Sequence, residues 1–550
     1  MIRTLVSISL FSIAFSAMLG TPLITSSAAG EMPGDWRLPG DYRAEARMPM
    51  HLVHPRNAES AEWAIGKNAH PGVRWEIPVV VQGGAWPFRY EIIDNGGAEG
   101  LAIGGELERV RDDGFILHRV TDDYGRVWWN DPQAGQYEIL LRVTDQALNT
   151  IDVPISLTVG TDGWVFVDAD TGDDANDGSV DAPFRTVQRI HDGGAQFEDH
   201  RVYLAGTVGM DGNRTNGNLR IAAGSGDDTP APAVWVGWPG RGGVLEAYEG
   251  NLVIDHEDFY LGNLEHRHRA DFFQDEGEPI HMMTAWSGTD RLTLHDVHFS
   301  RFQGNASNVG LGNSSIIMFT DPDFFRDNVA VVNNRMSGDN GIFTSAYRLR
   351  HAVFENNRAA GAHFNTGDSA TWALFWMKRY NENITLRANH FGADNQWGGQ
   401  GNLAGALGLS ASRSIEFAFN TLHSPYDPES SRGGALKMFT NGSLSYFTWT
   451  EETPVWLYRN SLRQGVDYEG GNLANMPGGN IFTQRNVSSP APWPQHVYLS
   501  NSDNLDGDDY FDAGMNLKPP HREPYLGRYG AEIAEPDIGQ VFRDRFESGW

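Results

Sequence analysis

The sequence predicts an all-β protein in which a small antiparallel β-sandwich precedes a long stack of strand coils. Residues 74–160 consist of short runs that alternate apolar and polar residues, separated by Gly, Asp, Asn and Pro. That period and punctuation are typical of half-buried strands. Beyond residue 250 a strand–turn–strand unit recurs. The recurring units contain no amphipathic run of ten or more residues, which excludes a helical repeat.

The first 29 residues have the pattern of a secretory signal peptide. Arg3 precedes the apolar run LVSISLFSIAFSAMLG, and small residues at 27–29 form a cleavage site before Gly30. The run is short for a bilayer span, and no later segment is apolar enough to be one. We therefore expect an exported protein, secreted, periplasmic or on the cell surface, with no membrane span after the signal is removed. Residues 30–73 are expected to be an irregular lead-in.

The composition limits the classes of molecule that the protein is expected to bind. A formal net charge of -29 argues against nucleic acid and anionic membranes. The chain has no cysteine, so disulfides and thiolate metal sites are excluded. We expect a monomer whose partner is a polysaccharide.

The end of the sandwich region, GQYEILLRVTDQALNTIDVPISLTVG, resembles the last two strands of bacterial Ig-like and cadherin-like domains that precede many secreted enzymes. The resemblance implies an Ig-like module over residues 74–160 that supports the next domain. Carbohydrate binding by this module is the alternative.

An asparagine marks each repeating unit. It falls at 334, 357, 389, 420 and 460, with Asn486 as a sixth, and Asn263 and Asp296 are expected to hold the same place earlier. Such variable spacing fits coils with insertions, and neighbouring coils must stack to bury their apolar faces. The pattern resembles the right-handed parallel β-helix of the pectate-lyase-like superfamily, assigned to residues 161–540. Its buried Asn amides would form a ladder from coil to coil.

The acidic stretch VFVDADTGDDANDGSVDAPFRTVQRI opens this region at residue 165. It is not an EF-hand, because Gly172 and Asp173 occupy the fifth and sixth loop positions and Ser179 the twelfth. It resembles the signature that opens secreted β-helix proteins, which implies turn aspartates and a short helix covering the first coil. A structural calcium ion among these aspartates is the alternative.

The last residues, 541–550, resemble the short FxDGFESG tail of exported proteins from some gammaproteobacteria, with Arg545 in place of Gly. The tail and the absence of cysteine favour a Gram-negative source.

Two of the four lysines, Lys378 and Lys437, lie on repeating strands. A strand lysine whose pKa is lowered by neighbouring arginines is a candidate base for elimination at a uronate. In alginate-lyase-like β-helices the base lies on such a strand, with an Arg on the following coil. The resemblance implies Lys437 as base, Arg485 as acid or charge stabiliser, and Lys378 as a second candidate base. Those enzymes place calcium-binding Glu residues where this chain has Ser-Arg-Gly-Gly, so Arg432 is a candidate substitute for calcium.

Other candidates are grouped by chemistry. Substrate-binding candidates besides Arg432 are Arg413, Arg459, His423 and Trp376. Aspartates follow the recurring Asn and are expected in turns, where they would hold calcium or form a hydrolytic pair; they are Asp339, Asp368, Asp394, Asp427 and Asp467, with Asp394 and Asp427 as metal candidates. The alternative is that these aspartates serve only as turn residues, because Asp is common in turns. His298, His363 and His390 are weaker candidates.

The favoured function is a polysaccharide lyase that cleaves a uronate-containing glycan by β-elimination, with calcium as a candidate cofactor. A glycoside hydrolase that uses turn aspartates is one alternative. A non-enzymatic adhesin or glycan-binding protein is the other.

Overall fold

The computed structural model describes residues 47–104, 107–110, 116–120, 125–209, 219–222, 232–247, 252–268, 281–285, 289–302, 315–319, 325–338, 342–360, 372–392, 403–423, 436–439, 453–458, 460–463, 466–469, 473–476, 481–483, 497–500 and 503–505. These residues form an all-β protein, with an antiparallel sandwich followed by a parallel β-helix, which confirms the predicted fold class. Within them, no helix is long and apolar enough to cross a membrane.

The sandwich contains two four-stranded sheets. The first has the order β1 (His51–His54), β3 (Trp75–Gln82), β8 (Gly125–Trp129) and β5 (Leu101–Ile103). The second has the order β2 (Asn68–Ala69), β10 (Thr150–Val159), β9 (Gly135–Thr144) and β4 (Arg89–Asp94), and β6 (Leu107–Val110) pairs with β7 (Ile116–Val120). Burial alternates along β10 as its sequence predicts. β1, β2 and the 3₁₀ turn Ile65–Lys67 come from the stretch expected as lead-in.

Three sheet faces surround the core of the β-helix. Face A comprises β11 (Trp164–Asp168), β12 (Arg201–Gly209, continuing onto face B), β14 (Val234–Gly237), β17 (Tyr260–Gly262), β20 (Thr293–His295), β23 (Arg326–Val332), β26 (Leu349–Glu355), β29 (Asn381–Arg387), β32 (Ser412–Ala418), β35 (Val455–Tyr458), β38 (Leu473–Met476) and β40 (Val497–Ser500). Face B comprises β15 (Gly243–Ala247), β18 (Leu264–His268), β21 (His298–Phe302), β24 (Arg335–Gly338), β27 (Arg358–Ala360), β30 (His390–Gly392), β33 (Thr421–His423), β36 (Ser461–Arg463), β39 (Ile481–Thr483) and β41 (Asp503–Leu505). Face C comprises β13 (Leu219–Ala222), β16 (Leu252–Asp255), β19 (His281–Ala285), β22 (Ser315–Phe319), β25 (Ile342–Tyr347), β28 (Trp372–Arg379), β31 (Leu403–Ser410), β34 (Leu436–Phe439) and β37 (Val466–Glu469).

The asparagine ladder lies at the turn from face A to face B. Asn357 donates through Nδ2 to Asn389 Oδ1 at 2.9 Å and to the Val331 carbonyl at 2.8 Å. The same arrangement joins Asn334, Asn357, Asn389, Asn420 and Asn460, all of which are buried. Each amide satisfies backbone groups of adjacent coils that burial has removed from water.

Asn263 and Asp296 were expected at the ladder position, but both lie one residue before it. Both have a positive φ, 58° and 61°, and so match Asn333 and Asn356, the left-handed residues that precede the ladder. Asn333 Nδ2 donates to Asp296 Oδ1 at 2.9 Å, and the ladder position itself is Val297 on that coil. A short polar side chain tolerates the left-handed conformation, which explains why both places favour Asn.

The acidic loop caps the first coil, as its resemblance implied. Asp168 accepts hydrogen bonds from the backbone N–H groups of Asp170 and Thr171, at 3.0 and 3.1 Å, and pairs with Arg241 at 2.6 Å. The helix α1 (Gln188–Gly193) follows, with a 3₁₀ turn at Gly194–Gln196. Ile190 of α1 and Phe184 before it pack into the β-helix core, so the first strand's apolar end is covered.

The sandwich packs against the outside of face A. Val53 and Val80 of the sandwich form one apolar cluster with Ala330, Val332 and Val353 of face A. Further along, the Trp86 ring lies 4.9 Å from the Phe419 ring, centroid to centroid. These contacts extend the sandwich's own core onto the β-helix, so the sandwich packs side by side with face A.

A buried ion pair joins the same two parts. Arg387 Nη2 donates to Glu355 Oε2 at 2.8 Å, and both side chains are 1 % exposed. Arg387 also donates to the carbonyl oxygens of Gly83, at 3.1 Å, and Val81, and its guanidinium lies 4.4 Å from the Phe88 ring. Arginine suits this place because its planar fork satisfies a carboxylate and two carbonyls at once.

Candidate functional site

Face C carries both strand lysines, whereas the outside of face A packs against the sandwich. Lys378 lies on β28 and Lys437 on β34, as the sequence predicted.

The strand register places candidate residues in one column. Ser345, Trp376, Gly408, Lys437 and Asp467 are successive Cα partners across five strands of face C. Neighbouring strands lie about 4.8 Å apart, so the Cα atoms of Trp376 and Lys437 are about 10 Å apart, with Gly408 between them. We name these five residues the face C column.

Trp376 of the face C column lies on the outer side of the sheet. Phe375 and Met377, which flank Trp376 along β28, are fully buried members of the core, as is Leu409 beside Gly408. Since successive residues of a strand point to opposite sides, Trp376 points outward, and it is 6 % exposed. The aromatic residues of this stretch therefore divide, Phe375 packing in the core and Trp376 lying on the candidate site.

Lys378 is a buried lysine with a lowered pKa. Its side chain is 9 % exposed, and its Nζ lies 5.3 Å from the Tyr347 ring and 5.5 Å from the Trp376 ring. Burial, and then the positive charge of Arg379, lowers the pKa of Lys378 from 10.5 to about 8. A lysine with such a pKa is partly neutral near physiological pH and can accept a proton.

Tyr347 and Arg379 were not identified from the sequence. They are Cα partners on adjacent coils, so Tyr347 lies beside the end of β28 although it comes 31 residues before Lys378 in the sequence. Sequence adjacency could have indicated Arg379, because it directly follows Lys378 and a neighbouring cation lowers a lysine pKa. Tyr347 carries no such local signal, since its contact with Lys378 depends on the register of two coils.

The remaining candidates are divided among several places. Arg413 lies on face A, where it donates to Glu382 Oε2 at 2.8 and 2.6 Å. His423 ends β33 on face B. Other candidates lie outside the described residues, namely Arg432, Arg459, Arg485, Asp394, Asp427, Asp339, Asp368 and His363.

Two positional expectations are wrong. The face C strand next to that of Lys437 is β37, not the strand before Arg485, and Asp467 of β37 is the Cα partner of Lys437. The strand that precedes Arg485, β39, belongs to face B. Asp467 itself lies in a strand rather than in a turn. Both errors arose because the sequence repeat did not show β37, which begins at Val466, three residues after β36 ends at Arg463.

His390, a candidate on face B, is a buried residue whose surroundings disfavour its charged form. His390 is 4 % exposed, and burial together with the charge of Arg358 lowers its pKa to about 3. It is therefore neutral at physiological pH. Among the residues that the structure describes, no three His, Asp or Glu side chains are grouped closely enough to hold a metal ion.

No family model matches the chain, and no curated protein matches it. A GH136 lacto-N-biosidase from Eubacterium ramulus is similar in structure with a TM-score of 0.33 and 12 % identity, over 62 % of this chain and 67 % of that one. A rhamnogalacturonan lyase is similar with a TM-score of 0.36 and 10 % identity, over 68 % of this chain and 100 % of that one. Because both TM-scores are low, the site is interpreted from its own geometry.

Proposed function

We propose that this protein is an exported polysaccharide lyase that cleaves a uronate-containing glycan by β-elimination on face C. The observation that carries the proposal is the position of both strand lysines on that face. Lys378 lies two residues after Trp376 on β28, and Lys437 is the Cα partner of Gly408, which is itself the Cα partner of Trp376. A tryptophan on the outer side of the sheet suits a sugar, because sugars stack on aromatic rings.

The elimination requires a base and a stabilised negative charge. A neutral lysine Nζ takes the proton on C5, which is α to the uronate carboxylate, and becomes an ammonium. The electron pair of that C–H bond forms a double bond between C4 and C5, and the C4–O glycosidic bond breaks. The departing oxygen takes a proton from an acid or from water. Cations beside the carboxylate stabilise the charge that develops during proton removal.

Lys378 and Lys437 are both proposed for these roles. The lowered pKa of Lys378 supports it as the base, since a base works best when its pKa is near the operating pH. The Cα partner of Lys437 on the next coil is Asp467, and a nearby carboxylate would favour the charged form of a lysine. We therefore propose Lys378 as the base and Lys437 as the cation that holds the substrate carboxylate, which reverses the order expected from the sequence. Calcium bound by residues near 394 and 427 remains a proposal.

Product analysis tests the proposal. The mature protein is incubated with alginate, pectate and glycosaminoglycans, with and without a chelator, and the ultraviolet absorbance of the unsaturated uronate is followed. The proposal predicts absorbance with at least one of these glycans. New reducing ends without absorbance would indicate a hydrolase, and neither signal would indicate a binding protein.

Variants assign the roles. Lys378→Met is expected to abolish elimination, whereas Lys437→Met is expected to raise KM more than it lowers kcat. Sensitivity to the chelator would support calcium. The reverse pattern, in which Lys437→Met abolishes turnover and Lys378→Met does not, would assign the base to Lys437.

A further inference from the structure

The strand β1 brings two histidines to the contact between the sandwich and face A. His51 begins this strand and His54 ends it. Between them, Val53 packs in the apolar cluster that joins the two parts of the protein. Burial of an imidazole disfavours its charged form. The charge of these histidines is therefore coupled to the contact itself.

His51 touches a second histidine across this contact. Its ring centroid lies 4.5 Å from that of His351 on β26, and its Nε2 lies 3.0 Å from Asn328 Oδ1 on β23. His351 Nδ1 in turn lies 3.1 Å from Asp327 Oδ1. Because like charges disfavour one another, two protonated imidazole rings at this distance oppose the contact.

The other charged groups around His51 are paired with one another. Arg56, whose Nη1 lies 3.3 Å from His51 Nε2, donates through Nε to Glu59 Oε2 at 2.7 Å. Arg350 of face A donates to Asp327 Oδ1 at 2.7 Å. A proton on His51 therefore adds a positive charge beside an arginine, at a place where both carboxylates already have a cation.

His54 lies against face A further toward the first coil. Its Nδ1 lies 2.7 Å from the Pro78 carbonyl oxygen, and its ring centroid lies 6.1 Å from that of Tyr260 on β17. The charge of Asp258 favours a protonated His54, but Arg291 donates through Nε to that carboxylate at 2.8 Å. The carboxylate therefore offsets only part of the cost of burying a charged His54.

Both histidines resist protonation while the two parts are in contact. Burial, and then the charges of His351 and Arg56, lowers the pKa of His51 in spite of the Asp327 carboxylate. Burial lowers the pKa of His54 to about 4. An imidazole in water has a pKa of about 6.5. The separated parts therefore bind protons more tightly than the docked ones, and acid favours separation.

We propose that β1 is an acid-released latch, in which protonation of His51 and His54 frees this end of the sandwich from face A. The other end stays docked, because Arg387 joins Glu355 to the carbonyl oxygens of the sandwich there. Release uncovers the apolar cluster around Val53 without unfolding the β-helix. The latch is independent of the proposed lyase activity.

Proton binding sets the size of the effect. Between about pH 7.5 and about pH 5, a histidine with a free pKa near 6.5 that stays neutral when docked shifts the equilibrium toward release by about thirtyfold. His54 contributes nearly this much, since its docked pKa is about 4. Because His51 adds to it, the released fraction is expected to rise by about thirtyfold or more.

Single introduced cysteines measure release, because the chain has none of its own. Val53→Cys reports on the latch and Val353→Cys on the part of face A that it covers. Each protein is reacted with a pyridyl disulfide at about pH 7.5 and about pH 5, and the rate is divided by that of N-acetylcysteine at the same pH, because thiol reactivity itself depends on pH.

Two further cysteines separate local release from larger changes. Ala352→Cys lies on the same strand as Val353 but in the core of the β-helix, so it reacts only when the β-helix unfolds. Ala418→Cys lies next to Phe419, whose ring contacts Trp86 at the other end of the sandwich. Neither normalised rate is expected to rise at the lower pH.

The test variant is His51→Gln with His54→Gln, which takes up no proton but keeps an amide N–H at each place. In the parent, both latch reporters are expected to react about thirtyfold faster or more at the lower pH, and in this variant by a few-fold at most. His191→Gln, on the helix α1, is the control and should behave like the parent. Should the double variant not fold, His51→Gln alone decides, and its rise must be smaller than that of the parent.

Equal normalised rates of the parent reporters at both pH values would overturn the inference, as would a parent-like rise in the folded histidine variants. An equal rise at Ala352→Cys would show acid unfolding of the β-helix instead of release. An equal rise at Ala418→Cys would show that the whole sandwich separates, and would contradict a latch confined to β1.

Discussion

Lys378→Met is expected to make the protein more stable and inactive. In the folded protein the ammonium is 9 % exposed, and its pKa is about 8 instead of 10.5. That difference corresponds to a penalty of about 3 kcal/mol on the charged side chain. The contacts with the Tyr347 and Trp376 rings offset part of it, by about 0.5–2 kcal/mol. Methionine fills the same space without charge, so the expected gain in the free energy of unfolding is about 1–3 kcal/mol near pH 6.

The stability gained by Lys378→Met is expected to decrease as the pH rises. Between about pH 8 and 10.5 the unfolded chain holds a proton on Lys378 that the folded chain has lost. The parent therefore becomes more stable as the pH rises through this window. The methionine variant lacks this increase, so its advantage is full below about pH 8 and vanishes near 10.5.

Urea unfolding of the parent and the variant at about pH 6 and about pH 10 measures this effect. Lys67→Met is the control, because the Lys67 ammonium is held by the Ser60 carbonyl at 2.7 Å and Glu62 at 3.1 Å, and no gain is expected there. A Lys378→Met variant that is less stable than the parent at pH 6, or equally changed at both pH values, would refute the reasoning about the buried charge. Full glycan turnover by that variant would refute its role as base.

Three further predictions concern the fold and the column. Arg387→Met should lower the free energy of unfolding by about 3–5 kcal/mol because it leaves the Glu355 carboxylate buried without its cation; restoration by adding Glu355→Gln would support this reason, and a loss below 1 kcal/mol in urea unfolding would contradict it. Asn389→Ala should cost about 2–4 kcal/mol, since it leaves the Phe354 carbonyl and the Asn357 N–H without their bonds; an unchanged melting temperature would argue against the ladder. Gly408→Leu should keep the melting temperature but raise KM for the glycan by about tenfold or more, because it fills the column beside Trp376; unchanged kinetics would exclude the column as a sugar site.

Much of the β-helix could be predicted because its sequence signals are local. The recurring Asn, the apolar strands on either side and the capping loop each lie within one coil. The one-residue error at Asn263 and Asp296 has a physical cause. Both the left-handed residue and the ladder residue favour Asn, and Asn333–Asn334 and Asn356–Asn357 occupy both places, so composition alone does not distinguish them.

The docking of the sandwich could not be predicted from the sequence. Val332 and Val353 face the sandwich, yet they look like ordinary core residues of a strand with two buried sides. Arg387 resembles a surface cation until its partners Glu355, Val81 and Gly83 are brought together from distant parts of the chain. The sequence did indicate both strand lysines, but ranking them required the burial of Lys378 and its contact with Tyr347, which depend on the alignment of coils.

The most direct test of the central claim is a crystal structure of the inactive Lys378→Met protein with the acidic oligosaccharide that the parent cleaves. We predict sugar density along face C, over Trp376 and Gly408 and toward Lys437. Sugar bound on the sandwich, or on face B with face C empty, would contradict the assignment of the glycan site to face C.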